Sequence, residues 1–590
     1  MLLKVEPKTS EYVRLSMDDE GTPLIWGKIR GFFPDYQPDG NGGIRVAFHE
    51  YVNLLQLLRD YCEANDIIIL PSPGIAERIA RFETTQNKKQ EFSEEELDRC
   101  LKIAGFTRQL KSFQRKNVIK MCKRWQGASF SVPGAGKTTE ALAFFFALRE
   151  SGDTLLVVAP KNAFCAWEEQ LAECVPAGNR SFVRLTGGEA NAKRLLSERH
   201  EFFLINYHSL ASYQKVICSY LAENPGAFVF LDESHRAKNP KSRTAEAIRK
   251  IAVLPKGKLI LSGTPMPQSQ ADLVPQVSFL FPDADIREDN VVERIQPIYV
   301  RTTAPELGIP SIHYEYHSIP LDPIEMEAYK KMRILSANAL SNPNPTDAMF
   351  MRKLGKSVMR LLSFVAHPAS LANELGYIDR RLVPYLSSRD GKKMAYVCRR
   401  ARELAAQGKK VMIWSSFVKN VELLASRLAD LGADYIHGGV QAGSDEDEGT
   451  REQKIKRFHE DPYAKILVAN PAAASEGISL HKVCQHAIYL DRSFNAAYFL
   501  QSQDRIHRIG MPPNTFPTVE IVQCPGTIDE VVDVRLKMKI DAMSQMLGDP
   551  SITVSGEIFP DDDDDDAQEV ETAGLSPADC ASILAHLKAI

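Results

Sequence analysis

Ser131-Val132-Pro133-Gly134-Ala135-Gly136-Lys137-Thr138-Thr139 decides how the rest of this 590-residue chain is read. An apolar-aromatic lead-in, Gly127 to Phe130, precedes it, and a helix-forming run from Glu140 to Arg149 follows. Gly134 and Gly136 let the backbone turn its N–H groups inward, and the helix that follows adds the positive end of its dipole. Lys137 can then reach the β- and γ-phosphates of a nucleotide, and Thr138 can offer a hydroxyl to Mg2+. This is the layout of a phosphate-binding loop, with Ser131 where the G-x-x-x-x-G-K-T pattern has its first glycine. The alternative is a Gly-rich turn that opens a helix and binds nothing. Motifs further along the chain decide between the two.

The length allows three or four domains, each with its own core. A hydrophobic fraction of 44% and a charged fraction of 25% are ordinary for a globular protein. No apolar run reaches the roughly 18 residues that span a bilayer, and Met1 to Pro7 lacks a signal-peptide core. No membrane is expected as a partner, and the expected location is cytoplasmic. The ten cysteines include no pair two or three residues apart, so they read as reduced core residues and not as a zinc module. Net charge is −4, unevenly spread: Gly556 to Ile590 holds ten acidic residues and one lysine, which leaves +5 for the remainder. A slightly basic body with an acidic tail is compatible with a nucleic-acid cleft.

Residues 1–100 read as a small accessory domain, with strand-like pieces at Leu24–Ile29, Gly43–Phe48 and Ile67–Leu70 and a helix near Tyr51–Ala64. From 101 to 285, apolar strands alternate with helices as in a parallel sheet, with strands expected at Thr154–Ala159, Phe202–Asn206, Ala227–Leu231 and Lys258–Leu261. Ligands of such sheets collect at the strands' carboxyl ends. Lys161 and Trp167 follow the first of these strands, Tyr207 the second, Asp232-Glu233-Ser234-His235 the third, and Ser262-Gly263-Thr264-Pro265 the fourth. Asp232 can hold Mg2+ through water while Glu233 orients and deprotonates the attacking water. An adjacent pair of acids can also be a plain helix cap.

Residues 286–388 are helix-rich and broken by prolines, and read as an insertion or linker. A second α/β unit, 389–535, has strands expected at Lys410–Trp414, Ala464–Val468, His486–Leu490 and Thr518–Val522, and no phosphate loop. It carries Gln501-Ser502-Gln503-Asp504-Arg505-Ile506-His507-Arg508-Ile509-Gly510. If Tyr498 to Arg508 is helical, Arg505 and Arg508 share one face and could act as arginine fingers. Residues 536–590 form an extension with the acidic run Asp561 to Asp566, and Ser576-Pro577 opens a terminal helix that docks on a partner or on the body.

Taken together, residues 105–535 resemble the superfamily-two helicase core, and within it a compact, stand-alone, prokaryotic branch of the Swi/Snf-type translocating ATPases. Leu110-Lys111-Ser112-Phe113-Gln114-Arg115 looks like the family's L-x-x-[YF]-Q element, and residues 131–138 resemble motif I. Pro160 with Trp167 resembles motif Ia, and Asp232 to His235 resembles motif II with Ser234 for alanine. Leu261 to Pro265 resembles motif III, Met412 to Phe417 motif IV, Asn470 to Leu480 motif V, and Gln501 to Gly510 motif VI. Motif V departs from the pattern in being alanine-rich, and Pro267 stands where the family has glutamine.

The resemblance implies an α/β fold of two tandem RecA-like lobes with a helical insertion, and ATP and Mg2+ as cofactors. Gln114 and Ser131 through Thr139 would bind ATP, with Thr138 and Asp232 on the metal. Lys137, Asp232, Glu233, Gln501, Arg505 and Arg508 would carry hydrolysis. Lys161, Trp167, Tyr207, His235, Gly263, Thr264, Ser415, Ser416, Asn470 and Gly477 would couple it to DNA. The expected output is translocation on double-stranded DNA. An ATP-driven RNA or ribonucleoprotein remodeller is the first alternative. A nucleotide-gated DNA-binding subunit, partnered through residues 1–100 or the acidic tail with a nuclease or methyltransferase, is the second.

Overall fold

The computed structural model describes residues 1–588 except 9–11, 18–22, 35, 40–41, 87–90, 178–179, 238, 241, 267–268, 283, 341–347, 376–378, 442–448, 475–478, 495, 513–514 and 553–574. The acidic run, Gly477 and Pro267 lie outside the described residues. The chain divides into two compact units, one of residues 1–131, 136–265 and 270–301, the other of 132–135, 266–269 and 302–590.

The first unit holds two sheets. Strands β1 (Leu2–Pro7), β2 (Tyr12–Met17), β3 (Gln37–Asp39), β4 (Gly43–Ala47) and β5 (Ile68–Pro71) run in the order β3-β4-β2-β1-β5. All neighbours are antiparallel except β1 and β5. Leu3, Val5, Val13 and Leu15 alternate inward, as a one-faced sheet requires. The piece expected as a strand at Leu24–Ile29 is a helix, Pro23–Gly31. Pro23 stands at its start, where the missing N–H costs nothing, so an apolar run that reads as a strand begins a helix.

The second sheet comprises β6 (Gln126–Ser129), β7 (Leu155–Val158), β8 (Phe182–Arg184), β9 (Phe202–Ile205), β10 (Phe228–Asp232), β11 (Gly257–Leu261) and β12 (Tyr299–Val300). Their order is β12-β6-β11-β10-β7-β9-β8, parallel throughout. β7, β9 and β11 are buried along their whole length, which is why they read as continuous apolar runs and not as alternations. The Lys137–Leu148 helix is buried from Thr139 to Leu148, and its Phe144 and Phe145 pack on Phe228 at 6.2 and 5.1 Å between ring centres. The buried Lys258 ammonium donates to the carbonyls of Ala252, Phe279 and Leu280 (2.8–3.1 Å), closing two helix ends at once.

The second unit repeats the plan with β13 (His313–Ser318), β14 (Val411–Trp414), β15 (Asp434–Ile436), β16 (Ile466–Ala469), β17 (His486–Tyr489) and β18 (Thr518–Gln523), all parallel in the order β13-β18-β17-β14-β16-β15. The stretch read as an insertion or linker therefore supplies an edge strand to each sheet, β12 to one and β13 to the other. Edge strands this short and polar leave no apolar run in the sequence. Helices Pro323–Ala339, Ala348–Ala366 and Ile528–Leu547 form a second core beside this sheet. The C-terminal helix Pro577–Lys588 docks there through Cys580, Ile583 and Leu587. Asp579 accepts from Arg535 Nε (2.8 Å) and Lys539 Nζ (2.7 Å), so the terminal helix rests on the body. No helix among the described residues is long and apolar enough to cross a membrane.

Candidate active site

The order β6-β11-β10-β7-β9 brings five loops to one edge of the sheet. At about 4.8 Å per strand, the loop after β6 and the acidic pair after β10 stand on the order of 10 Å apart, with the Ser262–Pro265 turn between them. These loops are spread along the sequence from residue 130 to residue 265, and the parallel sheet alone aligns them.

After β6 the chain turns through Gly134 (φ +86°) and Gly136 (φ +88°), a backbone region that favours glycine. A Cβ on Gly136 would come within 2.4 Å of Gln114 Nε2, so the amide of Gln114 closes on the loop from below. The first helical hydrogen bond runs from Glu140 N to Gly136 O (3.0 Å). The N–H groups of Thr138 and Thr139 precede it, in the first turn, where the helix itself offers them no acceptor. Lys137 Nζ donates to Ser131 O at 2.8 Å, which folds the ammonium over the loop. Thr139, expected among the nucleotide ligands, donates its hydroxyl to Gln170 Oε1 (2.9 Å) and serves the loop's support.

Beneath the loop lies a residue that sequence reasoning missed. Glu140 is fully buried and accepts from Asn117 Nδ2 (2.9 Å) and Ser129 Oγ (3.1 Å). Burial pushes its carboxyl up to about 7, against those two hydrogen bonds. An acid at the head of the apolar run Ala141–Leu148 was the available signal.

Asp232 ends β10. Its Oδ2 accepts from Trp167 Nε1 (2.8 Å), its Oδ1 from Glu233 N (3.0 Å), and its carbonyl from Tyr207 OH (2.7 Å). Trp167 and Tyr207 were expected to face DNA. Both are buried and turned inward, Trp167 onto the Asp232 carboxylate and Tyr207 onto the Asp232 carbonyl, because an indole or phenol this deep must find an acceptor. Lys161, on the same segment, is exposed.

Glu233 sits at φ +49°, a left-handed conformation that is strained for a residue with a side chain. Its Oε2 is 3.3 Å from His235 Nδ1 and accepts from Ser262 Oγ at 3.4 Å. His235 Nδ1 meets Ser262 Oγ at 2.9 Å, and Thr264 N donates to that oxygen at 3.1 Å. The acidic pair is thereby hydrogen-bonded to the Ser262–Pro265 turn. Burial, reinforced by the Glu233 charge, pushes Asp232 up to about 6. Burial acts on Glu233 in the same direction, but His235, Lys137 and Arg236 outweigh it and hold that carboxylate below its usual range. Glu233 therefore stays ionised, as a base must.

The residues fit a nucleotide with a divalent ion: first-turn helix donors, a folded ammonium, a hydroxyl at Thr138 and a strand-end carboxylate supply the donors that phosphates and Mg2+ take.

In the second unit, Gln501 and Arg505 are buried, and Arg505 Nε donates to the Gln501 carbonyl at 2.8 Å. The helix expected to run to Arg508 is Ala496–Gln503. Arg505 lies in a turn whose carbonyl accepts from Leu480 N (2.9 Å), a partner 25 positions earlier that no local pattern reveals. Arg505 and Arg508 therefore do not share a helical face. Arg508 Nε is buried without a hydrogen-bond partner among the described residues. Burial lowers its proton affinity, partly offset by Asp504.

Ser415 is buried and donates to Asp491 Oδ2 (2.5 Å), Ser416 N donates to Asp491 Oδ1 (2.7 Å), and Asn470 Nδ2 donates to the Ser416 carbonyl (2.9 Å). These three, expected on DNA, hold the loop around Asp491. An aspartate two residues beyond an apolar strand, much as Asp232 ends its own, was a signal left unread.

Residues 130–289 match the SNF2-related domain and residues 392–510 the helicase conserved C-terminal domain. The chain thus carries one region similar to the SNF2-related domain and a second similar to the helicase C-terminal domain. It is 24% identical over 437 residues to a human SWI/SNF-related matrix-associated actin-dependent regulator of chromatin (subfamily A member 1), covering 69% of this chain and 40% of that protein. It is 25% identical over 457 residues to the Arabidopsis thaliana ATP-dependent DNA helicase DDM1 (68% and 57%), and 19% over 447 to the human DNA annealing helicase and endonuclease ZRANB3 (74% and 40%). The chain thus spans about two-fifths to three-fifths of these relatives' lengths. Among solved structures, the Sulfolobus solfataricus SWI2/SNF2 ATPase core in complex with dsDNA is 18% identical, with 81% of this chain and 97% of that one covered and a TM-score of 0.31.

Proposed function

We propose that this chain hydrolyses ATP and couples the hydrolysis to movement along duplex DNA. The observation that carries the reading is the hydrogen-bonded path Glu233–His235–Ser262–Thr264, which ties the hydrolytic carboxylate to a turn outside it. Gly134 to Thr138 cradle the phosphates, Lys137 leaves Ser131 O for the γ-phosphate, and Gln114 supports the loop. Mg2+ held by Thr138 and Asp232 would neutralise the phosphate oxygens. Glu233 takes the proton of the attacking water, and Arg505 and Arg508 are assigned to the transition-state charge.

Duplex DNA is favoured as the track because the curated relatives carry DNA-acting names, and the exposed Lys161 is the contact assigned to it on the first unit. A nuclease or methyltransferase subunit reaching residues 1–100, and cytoplasmic residence with ten free cysteines, complete the proposal. Steady-state hydrolysis by wild type and Glu233→Gln, with no polymer, duplex DNA, single-stranded DNA or RNA, tests it. Duplex stimulation that is lost in the variant supports the reading. Stimulation by RNA alone replaces it with an RNA remodeller.

A further inference from the structure

Ser234 stands directly after Glu233 where the family pattern has alanine, and its hydroxyl is fully buried. It donates to Gln276 Oε1 at 2.7 Å. Gln276 is also fully buried, on the Leu273–Leu280 helix, and its Nε2 donates to the carbonyls of Pro265 and Asp272, each at 2.7 Å. The amide thus uses its oxygen and both its protons, and one of its partners is the residue after Thr264.

Two polar links therefore reach the same turn, one from the Glu233 carboxylate and one from the adjacent Ser234 hydroxyl. One runs through His235 and Ser262 to the Thr264 N–H, the other through Ser234 and Gln276 to the Pro265 carbonyl. Stability does not call for the second link, since replacing both partners of a buried hydrogen bond by apolar groups of similar shape is nearly neutral. What a fully satisfied buried amide adds is a defined geometry. It adds it beside Glu233, whose φ of +49° must be held against strain.

We propose that Gln276 is a positioning residue. Through Ser234 it holds the backbone behind Glu233, and through Pro265 it makes that hold depend on the state of the Ser262–Pro265 turn. Movement of the turn then reorients the general base. The inference rests on the coupling of hydrolysis to a polymer proposed above.

The test compares wild type, Ser234→Ala, Gln276→Met and the double variant. Each is measured for melting temperature, affinity for a fluorescent ATP analogue, KM for ATP, and kcat with and without duplex DNA. Each single variant strands at least one buried polar group and melts earlier, whereas the double variant, which no longer strands the Ser234 hydroxyl, regains stability relative to Gln276→Met. The double variant is expected to bind the analogue like wild type and keep its KM. Its ratio of duplex-stimulated to unstimulated kcat should fall about 10- to 100-fold, since a misplacement of about 1 Å costs on the order of 100-fold. A double variant with the wild-type ratio overturns the proposal and reduces the pair to packing. If wild type itself responds to no polymer, the translocase reading fails separately. Positioning is then read from unstimulated kcat: a fall at constant KM supports it, and no change overturns it.

Discussion

The indole N–H of Trp167 donates to Oδ2 of Asp232 at 2.8 Å, across 65 residues of sequence. One carboxylate oxygen is thereby held, and the segment that begins at the exposed Lys161 is joined to the assigned metal ligand. Trp167→Phe keeps an aromatic ring and removes the donor, at the cost of a small cavity that lowers the melting temperature. Loss of such a supporting hydrogen bond weakens metal affinity on the order of 10- to 100-fold, so the Mg2+ concentration for half-maximal hydrolysis should rise by about that factor in the folded variant. A Mg2+ titration followed both by hydrolysis and by direct Mn2+ binding checks it. An unchanged metal requirement would show that the contact is packing alone.

Lys137→Ala removes the ammonium folded over the loop at Ser131 O. Preorganised charge of this kind supplies about 3 kcal/mol or more of transition-state stabilisation, so kcat/KM should drop at least about 100-fold. Near-wild-type turnover would sink the assignment of the loop.

Glu140 gives a pH dependence with a definite sign. Its carboxyl lies at about 7 in the folded chain against an ordinary value of 4.5, raised first by burial. The folded state therefore holds the proton more tightly than the unfolded one. The stability this contributes is complete below about 4.5 and is lost as pH rises through 7, up to about 3 kcal/mol. Gln at this position can accept from Asn117 and still meet Ser129, without a charge to bury. Melting temperatures from pH 5 to 8 should show Glu140→Gln gaining on wild type as pH rises. Parallel curves would contradict the burial argument.

Asp579→Asn tests the docking of the terminal helix. The fully buried Asp579 neutralises Lys539 and Arg535, and removing one partner of a buried pair costs about 3–5 kcal/mol. The helix should release, seen as faster proteolysis near residue 575 and earlier melting. A variant as resistant as wild type would mean that apolar contacts of Ile583 and Leu587 hold the helix unaided.

Much of the site was legible because its chemistry is local. Two glycines before Lys137-Thr138, and two acids at the end of an apolar strand, state their purpose within a few residues. The supporting residues were not legible in this way. Gln170 behind Thr139, Asp491 behind Ser415 and Gln276 behind Ser234 are ordinary polar residues whose partners lie 31, 76 and 42 positions away. Trp167, Tyr207 and Ser415 were assigned to DNA by motif, and the fold turned them inward, because a motif specifies a residue type and not the direction its side chain takes.

By itself the sequence determined the fold class, the two α/β units and the phosphate loop, since continuous apolar runs, helix periodicity and glycine placement act over a turn or a strand. It also set two adjacent acids at the end of an apolar strand. Only the tertiary structure decided that β11 lies between β6 and β10, that Glu233 is held left-handed, that the Arg505 segment leaves its helix at Gln503, and that residues near 300 and 315 complete the two sheets. These outcomes depend on hydrogen-bond partners and burial contributed from distant parts of the chain, and no short window of sequence contains them.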